Sequence, residues 1–248
     1  MENELNKVID FIRNYYKENN LKGCVLGISG GKDSAVVAAL MCKAIGKENI
    51  VGLTLPCYSS DKDLELAKMI SNYYGFKLYN IDLTSVFDTF KEEVFKIDKF
   101  KSVNLKNSDI NIKPKLRMAS CYYMAALLSS INKGTYLVVG TSNKSELYVG
   151  YFTKGGDSVF DINPIADFTV SEVIRLGELL YVPKEVLYRT PSDGLSNMND
   201  EDKLGVKYSD IEKYINREEL DESIYLKIEK LHKGCQHKFN KVIYKKED

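Results

Sequence analysis

Apolar positions along the chain change period several times, and each change marks an element. Leu5, Val8, Ile9, Ile12 and Tyr16 recur at three- and four-residue intervals, which predicts an opening helix over 3–18. Apolar runs at 23–28, 50–55, 76–81 and 135–139 are too short for helices and predict strands. Helical spacing over 34–45, 61–74 and 114–131 fills the intervals between them. Strand and helix alternate, so the predicted fold class is α/β, a doubly wound parallel sheet with helices on both faces. In such a sheet a ligand binds beyond the carboxyl ends of the strands. That rule points to the loop at 29–33 and the turn at Gly140-Thr141. Residues 85–110 are polar and lysine-rich and predict a surface helix and loop. Residues 183–205 hold two prolines and two glycines among Ser, Asp and Asn, which predicts a long loop. A further helix is predicted over 208–232, ahead of a basic tail at 233–246. No internal repeat or low-complexity linker interrupts the pattern, so 1–248 is expected to be one domain.

Composition changes this picture mainly by exclusion. The 248 residues include 35 Lys and Arg against 35 Asp and Glu, so the formal net charge is zero. That removes the global basic footprint of a nucleic-acid binder. The five cysteines, at 24, 42, 57, 121 and 235, are odd in number and form no C-x-x-C pair. Reduced thiols in a reducing compartment are expected. No stretch approaches the roughly 18 apolar residues of a membrane span. The first residues lack the basic and apolar regions of a signal peptide. A cytoplasmic chain without a membrane or nucleic-acid partner is therefore expected.

Candidate chemistry concentrates in Gly27-Ile28-Ser29-Gly30-Gly31-Lys32-Asp33-Ser34, which joins a predicted strand to a predicted helix. Strand, glycine-rich turn and helix is the layout in which backbone N–H groups and a helix N-terminus collect phosphate. Two commoner phosphate motifs are excluded. A Walker A loop needs Ser or Thr after its lysine and Gly five places before the second glycine, whereas Asp33 follows Lys32 and Leu26 takes the glycine's place. The glycines at 27, 30 and 31 do not make Gly-x-Gly-x-x-Gly either. An Asp inside an anion-binding loop makes sense beside a cation, so Asp33 is a candidate magnesium ligand. Ser-Gly-Gly-x-Asp-Ser resembles the pyrophosphate loop of the N-type ATP pyrophosphatases. The resemblance implies a Rossmann-like fold with a pyrophosphate loop, in which this segment holds the β- and γ-phosphates of ATP.

Further phrases follow in order: Asn111-Ile112-Lys113-Pro114-Lys115-Leu116-Arg117-Met118, Gly140-Thr141 with Glu146, Gly150 to Asp157, Asp161-Ile162-Asn163-Pro164, and His237-Lys238. Together with the loop they resemble the ammonia-dependent NAD synthetase family, from about residue 5 to residue 240. The resemblance implies that the carboxylate of deamido-NAD attacks the α-phosphorus of ATP and pyrophosphate leaves. Ammonia then displaces AMP from the resulting NAD-adenylate. ATP is thus a co-substrate, and Mg2+ the implied cofactor. Gly27, Ile28, Ser29, Gly30, Gly31, Lys32, Asp33, Ser34, Thr141 and Ser192 would contact ATP, and Asp33 with Glu146 would hold the magnesium. Lys115, Arg117, Lys154, Asp161, His237 and Lys238 would contact deamido-NAD. Asp33, Lys154 and Asp157 are the catalytic candidates; whether Asp157 helps deprotonate ammonium is open. The glycine-bearing segment 154–161 would close over substrate and protect the adenylate from water.

The resemblance also implies a homodimer whose deamido-NAD site is completed across the subunit boundary. No glutaminase domain is expected ahead of the synthetase region, so free ammonia is the expected nitrogen donor. Three positions depart from the family pattern: Lys115 replaces an Arg, Val170 replaces an ATP-contacting Lys, and Ser192 replaces a Thr. Two other classes of function stay open: another pyrophosphatase of the superfamily, tRNA-modifying or GMP-synthetase-like, and a non-catalytic ATP-binding protein.

Overall fold

The computed structural model describes residues 1–97, 106–189, 199–240 and 244. Its centre is a four-stranded sheet ordered β3-β2-β1-β4, made of β1 (Gly23–Gly27), β2 (Ile50–Thr54), β3 (Lys77–Asn80) and β4 (Tyr136–Val139). All three strand pairs are parallel, with Leu26 of β1 opposite Gly52 on one side and Val139 on the other. The chain builds β1, β2 and β3 outward, then crosses back to lay β4 on the free side of β1. That reversal opens a crevice between the carboxyl ends of β1 and β4, where such sheets bind ligands.

Side chains alternate across the sheet as strand geometry requires. Cys24 and Leu26 join one core, and Val25 joins the other. The first core is covered by α1 (Glu2–Glu18), α2 (Lys32–Ile45), α3 (Asp61–Tyr74), α7 (Val170–Leu179) and α8 (Lys184–Leu187). The second lies under α4 (Thr84–Phe95) and α5 (Lys106–Asn132). Every residue of α2 from Ala35 to Met41 is buried, which is why this stretch is apolar all round. The helix α1 covers it with the five residues whose spacing predicted the helix: Leu5, Val8, Ile9, Ile12 and Tyr16.

A third cluster lies beyond the β4 edge, among α6 (Lys144–Val149), α7, α10 (Tyr208–Asn216) and α11 (Glu222–Phe239), with α9 (Asp200–Leu204) beside them. Val149, Val170, Ile211 and Ile228 are buried there. Its tightest approach is at Gly150, the left-handed C-cap of α6, where φ is 70°. A Cβ on that residue would run into the side chain of Cys235 on α11.

Four boundaries differ from the expectation. The helix α5 begins at Lys106 and runs through Pro114, although proline is at home only in a first turn and so marks a false start in the pattern. The loop expected over 183–205 contains α8 and α9, and its residues 190–198 lie outside the described part. The helix expected over 208–232 is two helices, broken at Arg217, whose φ of 61° is left-handed. The expected tail from 233 is helical through Phe239, because Cys235 is buried against Gly150 and holds the last turns in place. No described helix is long and apolar enough to cross a membrane.

Gly150→Ala is expected to lower stability by roughly 2–4 kcal/mol, combining the left-handed penalty with the shift of a packed helix. Urea unfolding measures it, and an unchanged midpoint would refute the close approach of α6 and α11.

Candidate active site

A cavity of about 310 Å³ opens at the carboxyl ends of β1, β2 and β4. Its wall includes the 27–34 loop, Leu55, Arg117, Thr141, Glu146 and Asp157. The loop is held in shape by its own hydroxyls. Ser34 Oγ donates to the Gly31 carbonyl (3.0 Å), and Ser29 Oγ accepts from the Gly31 N–H (3.2 Å). Gly30 has a φ of 76°, and a Cβ there would strike the Asp63 carbonyl, so both conformation and space demand glycine. Gly31 opens α2 with no side-chain cap, which leaves the first-turn N–H groups without intrahelical partners. That is a site for an anion, and the helix dipole reinforces it.

The anion site is bordered by acids. Asn143 Nδ2 donates to Asp33 Oδ1 (3.0 Å), and Lys32 Nζ donates to Asp33 Oδ2 (2.9 Å). The same Asn143 caps α6 reciprocally with Glu146: its Oδ1 accepts from the Glu146 N–H, and Glu146 Oε2 accepts from the Asn143 N–H. Buried Asn143 thereby holds both carboxylates, Asp33 through its side-chain N–H and Glu146 through its backbone N–H, a capping box turned to a second purpose. Glu146 presents part of its surface to the cavity and is enclosed by protein on its other sides. Burial raises its carboxyl well above the ordinary value, the negative Asp33 adds to the rise, and Lys32 opposes it. Two facing carboxylates of this kind can hold a hard divalent cation, with phosphate and water oxygens completing its coordination. Among the described residues no three His, Cys, Asp or Glu side chains form a metal-ligating group.

The candidates from the sequence fall into two groups. Residues 27–29, 31–34, Thr141, Glu146, Arg117 and Asp157 line the cavity. Arg117 spans to the loop after β2, donating from Nε to the Leu55 carbonyl (3.2 Å) and from Nη2 to Ser59 Oγ (3.4 Å). Asp157 is at the mouth, where it accepts from the Thr153 N–H at 2.7 Å. Desolvation raises its carboxyl, against the pull of that N–H and of Lys238 and Arg117. The other group lies outside the cavity wall. Lys115 is exposed on α5. Lys154 Nζ donates to the His237 carbonyl (2.5 Å), and Lys238 Nζ donates to the carbonyls of Gly150 (2.6 Å) and Phe152 (2.7 Å). Asp161 accepts from the Val138 N–H (2.7 Å) and from Tyr122 Oη (3.1 Å), so its two oxygens fasten the edge of β4. Ser192 lies outside the described residues.

The sequence profile of the NAD synthase family matches residues 4–247. The NH3-dependent NAD+ synthetase of Mycoplasmopsis pulmonis is 40% identical over 233 residues, covering 93% of this chain and 85% of that one. The chain belongs to the NAD synthase family. Solved structures agree in shape. NMN synthetase from Francisella tularensis superposes with a TM-score of 0.88 at 28% identity, covering 98% of both chains. The NH3-dependent NAD synthetase from Campylobacter jejuni gives 0.76 at 29% identity, covering 99% of both chains.

Within this NAD synthase, Val170 is buried in the first turn of α7 and brings no cation to the cavity. Residues that sequence reasoning missed are Asn143, Asp200, Tyr151 and Tyr208. The Asn143 signal was present, since Asn followed three residues later by Glu is a capping-box signature. Asp200 fell inside an expected loop, and Tyr208 carried only the pattern of an ordinary helix face. Thr141 does not cap α6; Asn143 does.

Glu146 gives a pH prediction. Its carboxyl is raised in the folded chain and ordinary, near 4.5, in the unfolded one. The stability it contributes is complete below that ordinary value and is lost as pH rises toward the folded one, by at most about 1.4 kcal/mol per pH unit for one proton. In EDTA the melting temperature should therefore decline across that window, and Glu146→Gln should flatten the decline. Parallel pH profiles for the two proteins would sink this account.

Proposed function

We propose that this NAD synthase makes the nicotinamide amide of NAD from deamido-NAD, ammonia and ATP, releasing AMP and pyrophosphate. The observation that carries the reading is the cavity itself. It joins an uncapped helix N-terminus, which suits phosphate, to a fixed pair of carboxylates, which suits Mg2+. In this reading residues 27–34 and Thr141 hold the nucleotide, and Asp33 and Glu146 hold the magnesium. The metal, when bound, offsets charge on the phosphates and favours departure of pyrophosphate.

The substrate carboxylate oxygen forms a bond to the α-phosphorus as the bond to pyrophosphate breaks. The ammonia lone pair then attacks the acyl carbon, AMP leaves with the former carboxylate oxygen, and the nitrogen loses a proton. Asp157, raised by its surroundings and placed at the cavity mouth, is suited to take a proton from ammonium. Lys115, Arg117, Lys154, Asp161, His237 and Lys238 are assigned to deamido-NAD. Lys154 leaves the His237 carbonyl to reach it, which fits a segment that closes over substrate. Ammonia as the direct donor is supported by the names of the curated relatives, and the free cysteines are in keeping with the cytoplasm.

A homodimer belongs to the same proposal. Tyr123, Leu127 and Ile131 are 69%, 40% and 74% exposed and four residues apart on α5, an apolar stripe on the same helix that carries Lys115 and Arg117. A second acid substrate, nicotinate mononucleotide, is favoured by one observation, the closer shape match to the Francisella NMN synthetase than to the Campylobacter enzyme.

Incubation with ATP, Mg2+, ammonium and either acid tests the reading. Equal amounts of NAD and AMP from deamido-NAD, with glutamine far poorer than ammonium, are expected. Turnover of the mononucleotide instead would establish the second substrate, and no ATP cleavage with either would end the enzymatic reading. Asp33→Asn should lower turnover by about 10²–10³-fold, the usual scale for losing a group that stabilises transition-state charge. Tyr123→Glu with Ile131→Glu should shift sedimentation from dimer to monomer and weaken deamido-NAD binding; an unchanged sedimentation coefficient would remove that interface.

A further inference from the structure

Within the loop, Lys32 is buried, although lysine is almost never fully buried without a partner. Its ammonium lies 2.9 Å from Asp33 Oδ2. Burial opposes the Lys32 charge, yet Asp33, Glu146 and Asp200 together outweigh it and raise the ammonium above its ordinary value. Three carboxylates thus act on one cation. Asp200 is buried too and accepts from Tyr151 Oη at 2.9 Å. Asp200 lines the same cavity as Lys32, Asp33 and Glu146, and among the described residues no three carboxylates form a metal-ligating group.

Tyr208 completes the cluster. Lys32 Nζ lies 6.0 Å from its ring centroid. Its hydroxyl is buried and has no hydrogen-bond partner among the described residues. A buried polar group is costly when unmade, so such a hydroxyl calls for an explanation. The acids whose fields reach it are Glu146, Asp200 and Asp33. The long lysine stem lets the ammonium swing by several ångströms, and Lys32 and Asp200 line the same cavity.

We propose that Lys32 is a resident counter-ion of the metal site: without metal its ammonium holds Asp33 Oδ2, and on metal binding it withdraws to Asp200 and the Tyr208 hydroxyl. The proposal rests on Asp33 and Glu146 being the metal pair. An ammonium and a divalent cation cannot share that oxygen, so Lys32 keeps the metal-free fold stable and makes the bare ion bind weakly. Metal arriving with polyphosphate brings its own negative charge and meets less opposition, which couples metal entry to nucleotide entry.

The probe is Mn2+ alone, followed by electron paramagnetic resonance, with melting in EDTA alongside. Lys32→Met should bind Mn2+ on the order of tenfold more tightly, because a nearby positive charge is gone, and should melt lower in EDTA with a larger recovery on adding metal. Tyr208→Phe should weaken Mn2+ binding severalfold in the parent and leave it unchanged in the Lys32→Met background. Equal Mn2+ affinity in parent and Lys32→Met overturns the counter-ion and leaves the metal pair standing. Weaker binding in Lys32→Met overturns it in the same way. No Mn2+ binding to either protein overturns the metal pair, and the proposal with it. If Lys32→Met does not fold even with metal, Tyr208→Phe decides: a severalfold loss supports the proposal, and unchanged affinity refutes it.

Discussion

The bond from Asn143 to Asp33 joins two chain segments 110 residues apart into one site. Asp33 comes from the loop after β1, and Asn143 from the loop after β4, strands that are neighbours only because the chain doubles back. Everything at the cavity floor hangs on that neighbour relation. Asn143 is fully buried and committed at both ends, to Asp33 through its amide N–H and to the Glu146 backbone through its oxygen. Its replacement would cost a helix cap worth about 1 kcal/mol and release the Asp33 carboxylate from its amide.

The site is also an exercise in placing like charges together. Asp33 and Glu146 repel, and burial magnifies the repulsion. The fold offsets this with fixed positive ends: the N-terminus of α2, the capped N-terminus of α6 and the buried ammonium of Lys32. The two helix ends need not reorganise when a polyphosphate arrives, and preorganisation of this kind is where electrostatic catalysis gains most.

Much of the fold was legible in the sequence because burial is periodic. The five buried positions of α1 and the two-sided burial of β1 and α2 could be read directly from spacing. The pyrophosphate loop was legible because glycine at a positive φ and serines that bond their own loop leave a compositional mark. Pro114 misled, since the chain tolerates it within α5. The division of 208–239 into two helices was hidden by Arg217, a residue type that gives no hint of a left-handed turn. Asp200 and Tyr208 were illegible for another reason. Their importance comes from which acids they face, and only tertiary packing decides that.

The two hydrogen bonds that Lys238 donates have a practical consequence for handling the protein. Its ammonium satisfies the carbonyls of Gly150 and Phe152, immediately beyond the helix that carries Glu146. The far end of α11 therefore works as a fastener for the cavity floor. An affinity tag added after Asn240 leaves the fastener in place, whereas trimming the chain ahead of Lys238 strips two carbonyls of their cation and unpins the floor from behind. Purification schemes and crystallisation truncations should be drawn on the far side of that residue.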